Sequence, residues 1–260
     1  MIENIYWLNL RELPYFRAIL RAVEGRLVRE VELPGPVLDL GCGDGHFVSV
    51  TYEGKLDVGL DPSIGPMREA RARAAYHNLI QADGAGMPFK SGSFSSALSN
   101  SVLEHIPHLD DVLFELARVL KPQAPFVFTV PNPGYAKELS VACLLDRIKL
   151  HRPASAYRNW FNRMSRTVNL LDEGEWRRKL ENVGLEIVET KRYFSVSALR
   201  TLEWGHYFGS PCLLSRWLTG RWILAPKKWN LWLTELLTRR YAEEAPTDEG
   251  TYNFYLARKR

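Results

Sequence analysis

The sequence predicts an α/β fold, a mostly parallel sheet with helices on both faces, elaborated by a helical cap built from insertions. Three observations carry that expectation. Short apolar runs alternate with helical patterns from Pro36 to Pro131, which is how strand, helix and parallel strand succeed one another. A turn holding Gly41, Gly43 and Gly45 follows the first of those runs. Beyond Pro131 the alternation loosens into stretches rich in aromatic and basic residues, broken by two further strand patterns. A chain of 260 residues, 46% hydrophobic and 25% charged, suits one domain with a large elaboration. The expected division is a single domain, 1–260, with its core in 34–132, 172–194 and 251–260 and cap insertions at 133–171 and 195–250.

The elements follow in order. "LPYFRAILRAVEGRLVREV" reads as a leading helix. "PVLDL", "LDVGLD", "NLIQAD", "FSSALSN" and "PFVFTV" read as strands, each bounded by Gly, Pro, Asp or Asn. Between them, Ser63 is placed to cap "IGPMREARARAA", and Asp110 or Asp111 to cap a helix with Val112, Leu113, Leu116, Val119 and Leu120 on one face. Pro122 stops it. The stretch from Pro131 to Leu171 has too many apolar residues for a linker and no clean strand, so it is expected to be mostly helical. In "DEGEWRRKLENVG", Asp172 and Glu175 have capping-box spacing and Gly184 fits a helix end. "LEIVETKRYF" is a strand, and after a second insertion "TYNFYLARKR" closes the pattern as another, with Tyr252, Phe254 and Leu256 alternating.

Composition excludes several classes. Cys42, Cys143 and Cys212 are far apart, so neither a disulfide framework nor a zinc site is indicated, and no metal is expected. A reducing, cytoplasmic setting is the simplest expectation. The N-terminal segment carries Glu3, Arg11 and Glu12 and lacks the order of a signal peptide. No uncharged run approaches the roughly twenty residues that span a bilayer. The net charge of +4 says little by itself. The basic residues between Gly134 and Arg240 are read mainly as solvated helix faces.

The chemistry centres on "VLDLGCGDGHF". In an open parallel sheet, ligands bind outside the carboxyl ends of the strands where the strand order reverses. Glycines on that turn let a ligand lie against bare main chain. A dinucleotide would call for G-x-G-x-x-G, whereas the spacing here is G-x-G-x-G with Asp39 and Asp44 beside it. Two carboxylates repel a phosphate and suit a cation. Asp61, ending "LDVGLD", is placed to accept the hydroxyls of a ribose. Asp83 in "QADGAGMPF" is placed to accept from an exocyclic amine of adenine, with Ala85 and Met87 covering the ring. A nucleoside with a cationic amino-acid tail is S-adenosylmethionine.

With "VGLDPS", "QADGAGMPF", "SNSVLEHI" and "RVLKPQAPFVFTVPN" following "VLDLGCGDGHF" in order, the sequence resembles the class I S-adenosylmethionine-dependent methyltransferases, in particular the small-molecule, type 11-like members. The resemblance covers about Pro36 to Asn132, with the helix-strand pair 172–194 and the terminal strand also in place. It implies a Rossmann-like seven-stranded sheet with an antiparallel last strand, and methyl transfer as the activity. It implies that Asp39, Gly41, Cys42, Gly43 and Gly45 hold the methionine part, Asp61 and Pro62 the ribose, and Asp83, Gly84 and Ala85 the adenine, with Asn100 beside the sulfonium. Each has a structural rival: a tight turn for the glycines, a helix cap for Asp61, an Asx turn for Asp83.

Methyl transfer is an in-line displacement in which the protein mainly positions and excludes water. His105, in "LEHIPH", is the candidate general base, its rival role being a hydrogen bond near a helix start. Related nucleic-acid enzymes carry Asn/Asp-Pro-Pro-aromatic after the fourth strand. This chain has "SNSVLEH" there, and "PNPGY" follows the fifth strand instead, so nucleic acid is disfavoured. The acceptor expected is small or amphiphilic. Tyr157, Trp160 and Phe161 beside Arg158, Arg163 and Arg166, and the cluster Glu203, Trp204, His206, Tyr207 and Phe208, suit either an acceptor cradle or the packing of a cap. Trp217, Trp222, Trp229 and Trp232 with Arg216, Arg221, Lys227 and Lys228 are read as a cap packed on the sheet, with peripheral membrane contact left open. Two other functions fit the nucleoside site: an aminopropyl-type transferase, and an inactive cofactor-binding interaction module. The oligomeric state is not legible.

Overall fold

Strands β1 (Val37–Leu40), β2 (Leu56–Asp61), β3 (Tyr76–Gln81), β4 (Ser96–Asn100), β5 (Pro125–Pro131), β6 (Leu185–Tyr193) and β7 (Tyr252–Lys259) form a seven-stranded sheet in the order β3-β2-β1-β4-β5-β7-β6. This computed structural model describes residues 4–260, and Glu3 of the N-terminal segment lies outside them. β1 pairs in parallel with β2 and β4, β2 with β3, and β4 with β5. The order therefore reverses between β1 and β4, which puts the crevice at their carboxyl ends. β7 runs against both neighbours. At one end the Lys259 N–H donates to the Ala124 carbonyl at the start of β5 and Arg260 to Gly184 before β6; at the other, Thr251 donates to Phe194 after β6.

The helices are α1 (Ile5–Leu10), α2 (Tyr15–Arg29), α3 (His46–Thr51), α4 (Ile64–Arg73), α5 (Leu109–Val119), α6 (Pro133–Lys137), α7 (Ser140–Arg147), α8 (His151–Met164), α9 (Glu173–Asn182), α10 (Val196–Phe208), α11 (Ser210–Thr219) and α12 (Lys228–Ala242). α5 buries the face the spacing predicts, Val112, Leu113, Leu116 and Val119, but its cap position is His108, whose side chain makes no capping bond. Asp110 and Asp111 lie in the first turn instead, where their charge favours the helix dipole. Ser63 occupies the cap position of α4 without a side-chain bond, and its own N–H donates to Asp61. The capping box on α9 is complete, Asp172 Oδ1 accepting from Glu175 N and Glu175 Oε2 from Asp172 N, each at 2.8 Å. Gly184 follows that helix with φ of +79°, the left-handed turn that glycine tolerates best.

Contacts divide the chain into two compact units. The first, comprising Val28–Pro133, Arg163–Lys191 and Asn253–Arg260, holds the sheet core. There Leu38, Leu60, Ala97, Phe126 and Phe128 pack with Leu113 and Leu116 of α5 and Trp176 and Leu180 of α9. Phe128 stacks on Tyr255 with ring centroids 4.8 Å apart. Each fully buried leucine or phenylalanine among them contributes about 1.5–3 kcal/mol by leaving water. β7 is buried along both faces from Tyr252 to Tyr255 rather than alternating, as befits a strand enclosed between two others.

The second unit comprises Met1–Leu27, Gly134–Asn162 and Arg192–Tyr252 and is largely helical. Its aromatic residues pack on one another: Trp160 stacks on Tyr207 at 6.2 Å, and Tyr135 meets Phe161 at 5.8 Å. Buried Glu203 accepts from Ser140 N at 2.6 Å, Val141 N at 3.3 Å and Tyr157 Oη at 2.7 Å, so its charge faces the N-terminus of α7. The tryptophan-rich stretch departs from the packed cap expected of it. Trp217, Trp229 and Trp232 are 80%, 73% and 58% exposed. α12 buries a mixed face, Leu231, Glu235, Thr238 and Ala242, while Trp229, Trp232, Leu233, Leu236 and Leu237 face water. The inward polar groups are satisfied, Thr238 by the Tyr6 hydroxyl and Glu235 by Lys228 and Arg239. Among the described residues, no helix is long and apolar enough to cross a membrane.

Candidate functional site

The residues singled out in the sequence around the first turn lie at the carboxyl ends of adjoining strands. After β1, the Gly41 and Cys42 N–H groups both donate to the Leu60 carbonyl of β2, at 2.8 and 3.1 Å. The loop is thus folded back onto its neighbour. Gly41 has φ of +82°, and a Cβ there would lie 2.4 Å from a methyl of Val102, just past β4. That close approach joins the two loops flanking the strand-order reversal. Gly43 also has positive φ, +53°, yet a Cβ on it would meet nothing within 4 Å. Its main chain therefore faces open space.

Asp61 Oδ2 accepts the Gly43 N–H at 3.0 Å and Oδ1 the Ser63 N–H at 2.8 Å. The carboxylate anchors the glycine loop and starts α4 at once, and its remaining lone pairs are available to a ligand hydroxyl. Pro62, the next residue, is exposed. Asp39 is buried and takes the Tyr76 hydroxyl at 2.5 Å. Burial pushes its pKa up to about 7, the Tyr76 bond opposes that rise and the nearby Asp61 adds to it. Burial and the same aspartates raise the Cys42 thiol, so it stays neutral and unreactive. Asp44 Oδ1 accepts from His46 N at 3.0 Å.

Asp83 lies two residues beyond β3 rather than ending it, and caps the short 3-10 turn Gly84–Gly86. Its Oδ1 accepts from Ala85 N at 2.9 Å and faces His108 Nε2 at 3.0 Å. Those bonds hold the Asp83 carboxyl below its ordinary range. Gly84 packs tightly, since a Cβ would sit 3.1 Å from Val112. Asn100 is the last residue of β4, its Oδ1 accepting from Thr129 Oγ1 at 2.9 Å. His105 ends a 3-10 turn, Leu103–His105, and is exposed. Its Nδ1 lies 3.0 Å from the Arg166 carbonyl; a carbonyl only accepts, so Nδ1 carries the proton.

Sequence reasoning missed Tyr76, His108 and Thr129. A buried tyrosine needs a partner for its hydroxyl, which is a signal that Tyr76 carried, but the partner lies two strands away. The donor set also tests the expected cofactor. Acidic groups lie near the end of β1, at the end of β2 and just after β3, no Lys or Arg occurs in 39–46, 61–63 or 83–87, and the open face of Gly43 admits a ligand against the main chain. That set suits a nucleoside with a positively charged tail and repels a pyrophosphate.

The methyltransferase domain family matches residues 8–190, and the chain belongs to that family of S-adenosylmethionine-dependent enzymes. It is 34% identical over 115 residues, 42% of this chain and 40% of the relative, to malonyl-[acyl-carrier protein] O-methyltransferase of Legionella pneumophila. With the enzyme of that name from Serratia marcescens the identity is 28% over 160 residues, 57% of this chain and 63% of the relative. The chain thus spans about half the length of these curated relatives. The fold is that of an S-adenosylmethionine-dependent methyltransferase from Thermotoga maritima, with a TM-score of 0.58 and 16% identity over 94% of this chain and 91% of that one.

Proposed function

We propose that this chain transfers the methyl group of S-adenosylmethionine to a small or amphiphilic acceptor. The observation that carries the reading is the row of carboxylates at Asp39, Asp61 and Asp83 around a glycine loop whose main chain is open at Gly43. Asp39 and the loop from Gly41 to Gly45 take the methionine part, Asp61 with Pro62 the ribose, and Asp83, Gly84 and Ala85 the adenine, with Asn100 beside the sulfonium. When bound, the cofactor supplies the electrophilic methyl and its leaving group. The chain's share is to hold the acceptor in line and keep water away. Helices from 133–171 and 195–250 serve as the cap of a single domain.

The name carried by the curated relatives makes a carboxylate oxygen the first acceptor to try. Such an acceptor is already ionised near neutrality and needs no base, whereas a hydroxyl or amine would call on His105. With Nδ1 bonded to the Arg166 carbonyl, the nitrogen that would take the proton is Nε2, which lies 3.8 Å from Glu104 Oε1. Titration calorimetry with S-adenosylmethionine, S-adenosylhomocysteine and NAD tests the cofactor site. Binding of the first two and not the third, lost by tenfold or more in Asp61→Ala, is expected. If neither binds, the interaction-module reading takes its place. Transfer of a labelled methyl to malonyl-acyl carrier protein and to free fatty and aromatic acids then tests the acceptor class, with His105→Ala separating base-dependent from base-independent transfer.

A further inference from the structure

We propose that the exposed leucine and tryptophan stripes of α11 and α12 dock on an anionic lipid bilayer. On α12, Trp229, Trp232, Leu233, Leu236 and Leu237 recur at spacings of three and four, so they share one face, and each is at least half exposed. On α11, Leu213, Leu214, Trp217 and Leu218 repeat the arrangement at 58%, 57%, 80% and 64% exposure. An ordinary amphipathic helix turns such a stripe inward. α12 instead turns a mixed face inward, Leu231 and Ala242 with Glu235 and Thr238 and their partners, and leaves its larger apolar side chains outside.

Trp217, Trp229 and Trp232 are 80%, 73% and 58% exposed, large apolar rings left in water of the kind that marks an interaction surface. From Gly209 to Thr234 the chain carries Arg216, Arg221, Lys227 and Lys228 and no Asp or Glu, Lys228 being paired with buried Glu235 just beyond. The charge selects the occupant. A second copy in a two-fold dimer would set this basic face against itself and repel it, while anionic headgroups complement it. Tryptophan and leucine flanked by cations is the composition that settles at the headgroup boundary, and a helix of 15 residues, about 22 Å long, lies in that plane. No span is implied, since among the described residues no helix is long and apolar enough to cross. The proposal is independent of the acceptor and of the cofactor site.

The test is flotation of the full chain with vesicles of phosphatidylcholine, with and without phosphatidylglycerol, at low and high salt. Binding is expected to favour the anionic vesicles by roughly a hundredfold and to weaken with salt. Trp229→Ser/Trp232→Ser/Leu236→Ser should lower it about tenfold or more with an unchanged melting temperature, because all three side chains are exposed. No binding to the anionic vesicles, or binding that the triple variant leaves intact, overturns the proposal. So does a concentration-dependent dimer, seen by sedimentation, that the triple variant dissolves, or capture by an acidic carrier protein in place of vesicles.

Discussion

Tyr76 at the start of β3 donates its hydroxyl hydrogen to Asp39 on β1 at 2.5 Å, reaching past β2. The bond ties an outer strand to the strand that carries the glycine turn. It also sets the electrostatics of the site, since Asp39 has left water and its charged form depends on this donor.

The first prediction concerns pH. The Asp39 pKa stands near 7 when folded against about 3.9 unfolded, so between these values the native state binds more protons than the unfolded state. Stability of the ligand-free protein should therefore fall as pH rises through that window and level off above it. A cationic ligand favours ionised Asp39, so S-adenosylmethionine should bind more tightly, with proton release, as pH rises through about 7. Calorimetry in buffers of different ionisation enthalpy measures both. Asp39→Asn should flatten each profile, and a pH-independent wild-type affinity would contradict the account.

Tyr76→Phe removes the donor while leaving the ring. The loss should be about 1–3 kcal/mol, larger above the Asp39 transition than below it, because the bond serves the charged form. Urea denaturation on either side of the transition checks this. An equal loss at both would mean that Tyr76 matters only for packing.

Two glycine variants should separate folding from binding. Gly41→Ala places a methyl 2.4 Å from Val102 at φ of +82°, and should cost several kcal/mol, on the order of 3. Gly43→Ala meets nothing, so its cost is confined to about 1 kcal/mol of left-handed backbone. Its effect should appear in cofactor affinity, where the methyl occupies the ligand's side of the loop. Melting curves with and without S-adenosylhomocysteine compare the two.

Glu203→Gln replaces a buried acceptor of two main-chain N–H groups and the Tyr157 hydroxyl. An amide keeps one oxygen and turns a donor toward donors, so destabilisation of about 1–3 kcal/mol is expected. Thermal melting followed by near-ultraviolet circular dichroism, which senses Tyr157, Trp160 and Tyr207, provides the measurement. A signal unchanged in both melting point and amplitude would show that α7 does not depend on this carboxylate.

Legibility in the sequence followed the range of the interactions. The strands were readable as short apolar runs bounded by Gly, Pro, Asp or Asn, continuous in β1 and β5 because both faces are covered, while α9 with its capping box and the buried face of α5 rest on spacings of three and four residues. Ser63 stands at the cap position expected of it but makes no side-chain bond, whereas Asp110 and Asp111 were misread as caps because α5 begins earlier, after His108, and leaves them in the first turn. Asp83 looked like a strand end and is the cap of a turn, a difference set by its bonds to Ala85 and His108. The Tyr76–Asp39 bond requires the strand order, which local pattern does not contain. The tryptophan-rich segment misled in another way, since apolar periodicity tells which residues share a face and is silent on whether that face is covered.

β7 is translated last of the seven strands and is enclosed by two made earlier. Until it emerges, β5 and β6 have no common neighbour and each offers an unpaired edge to whatever lies nearby. The nascent sheet is consequently a five-stranded parallel half with a detached ribbon, and its closure is a late, long-range event. Variants that weaken β7 should therefore reduce the yield of folded protein during synthesis more than they lower the melting point of the molecules that complete it.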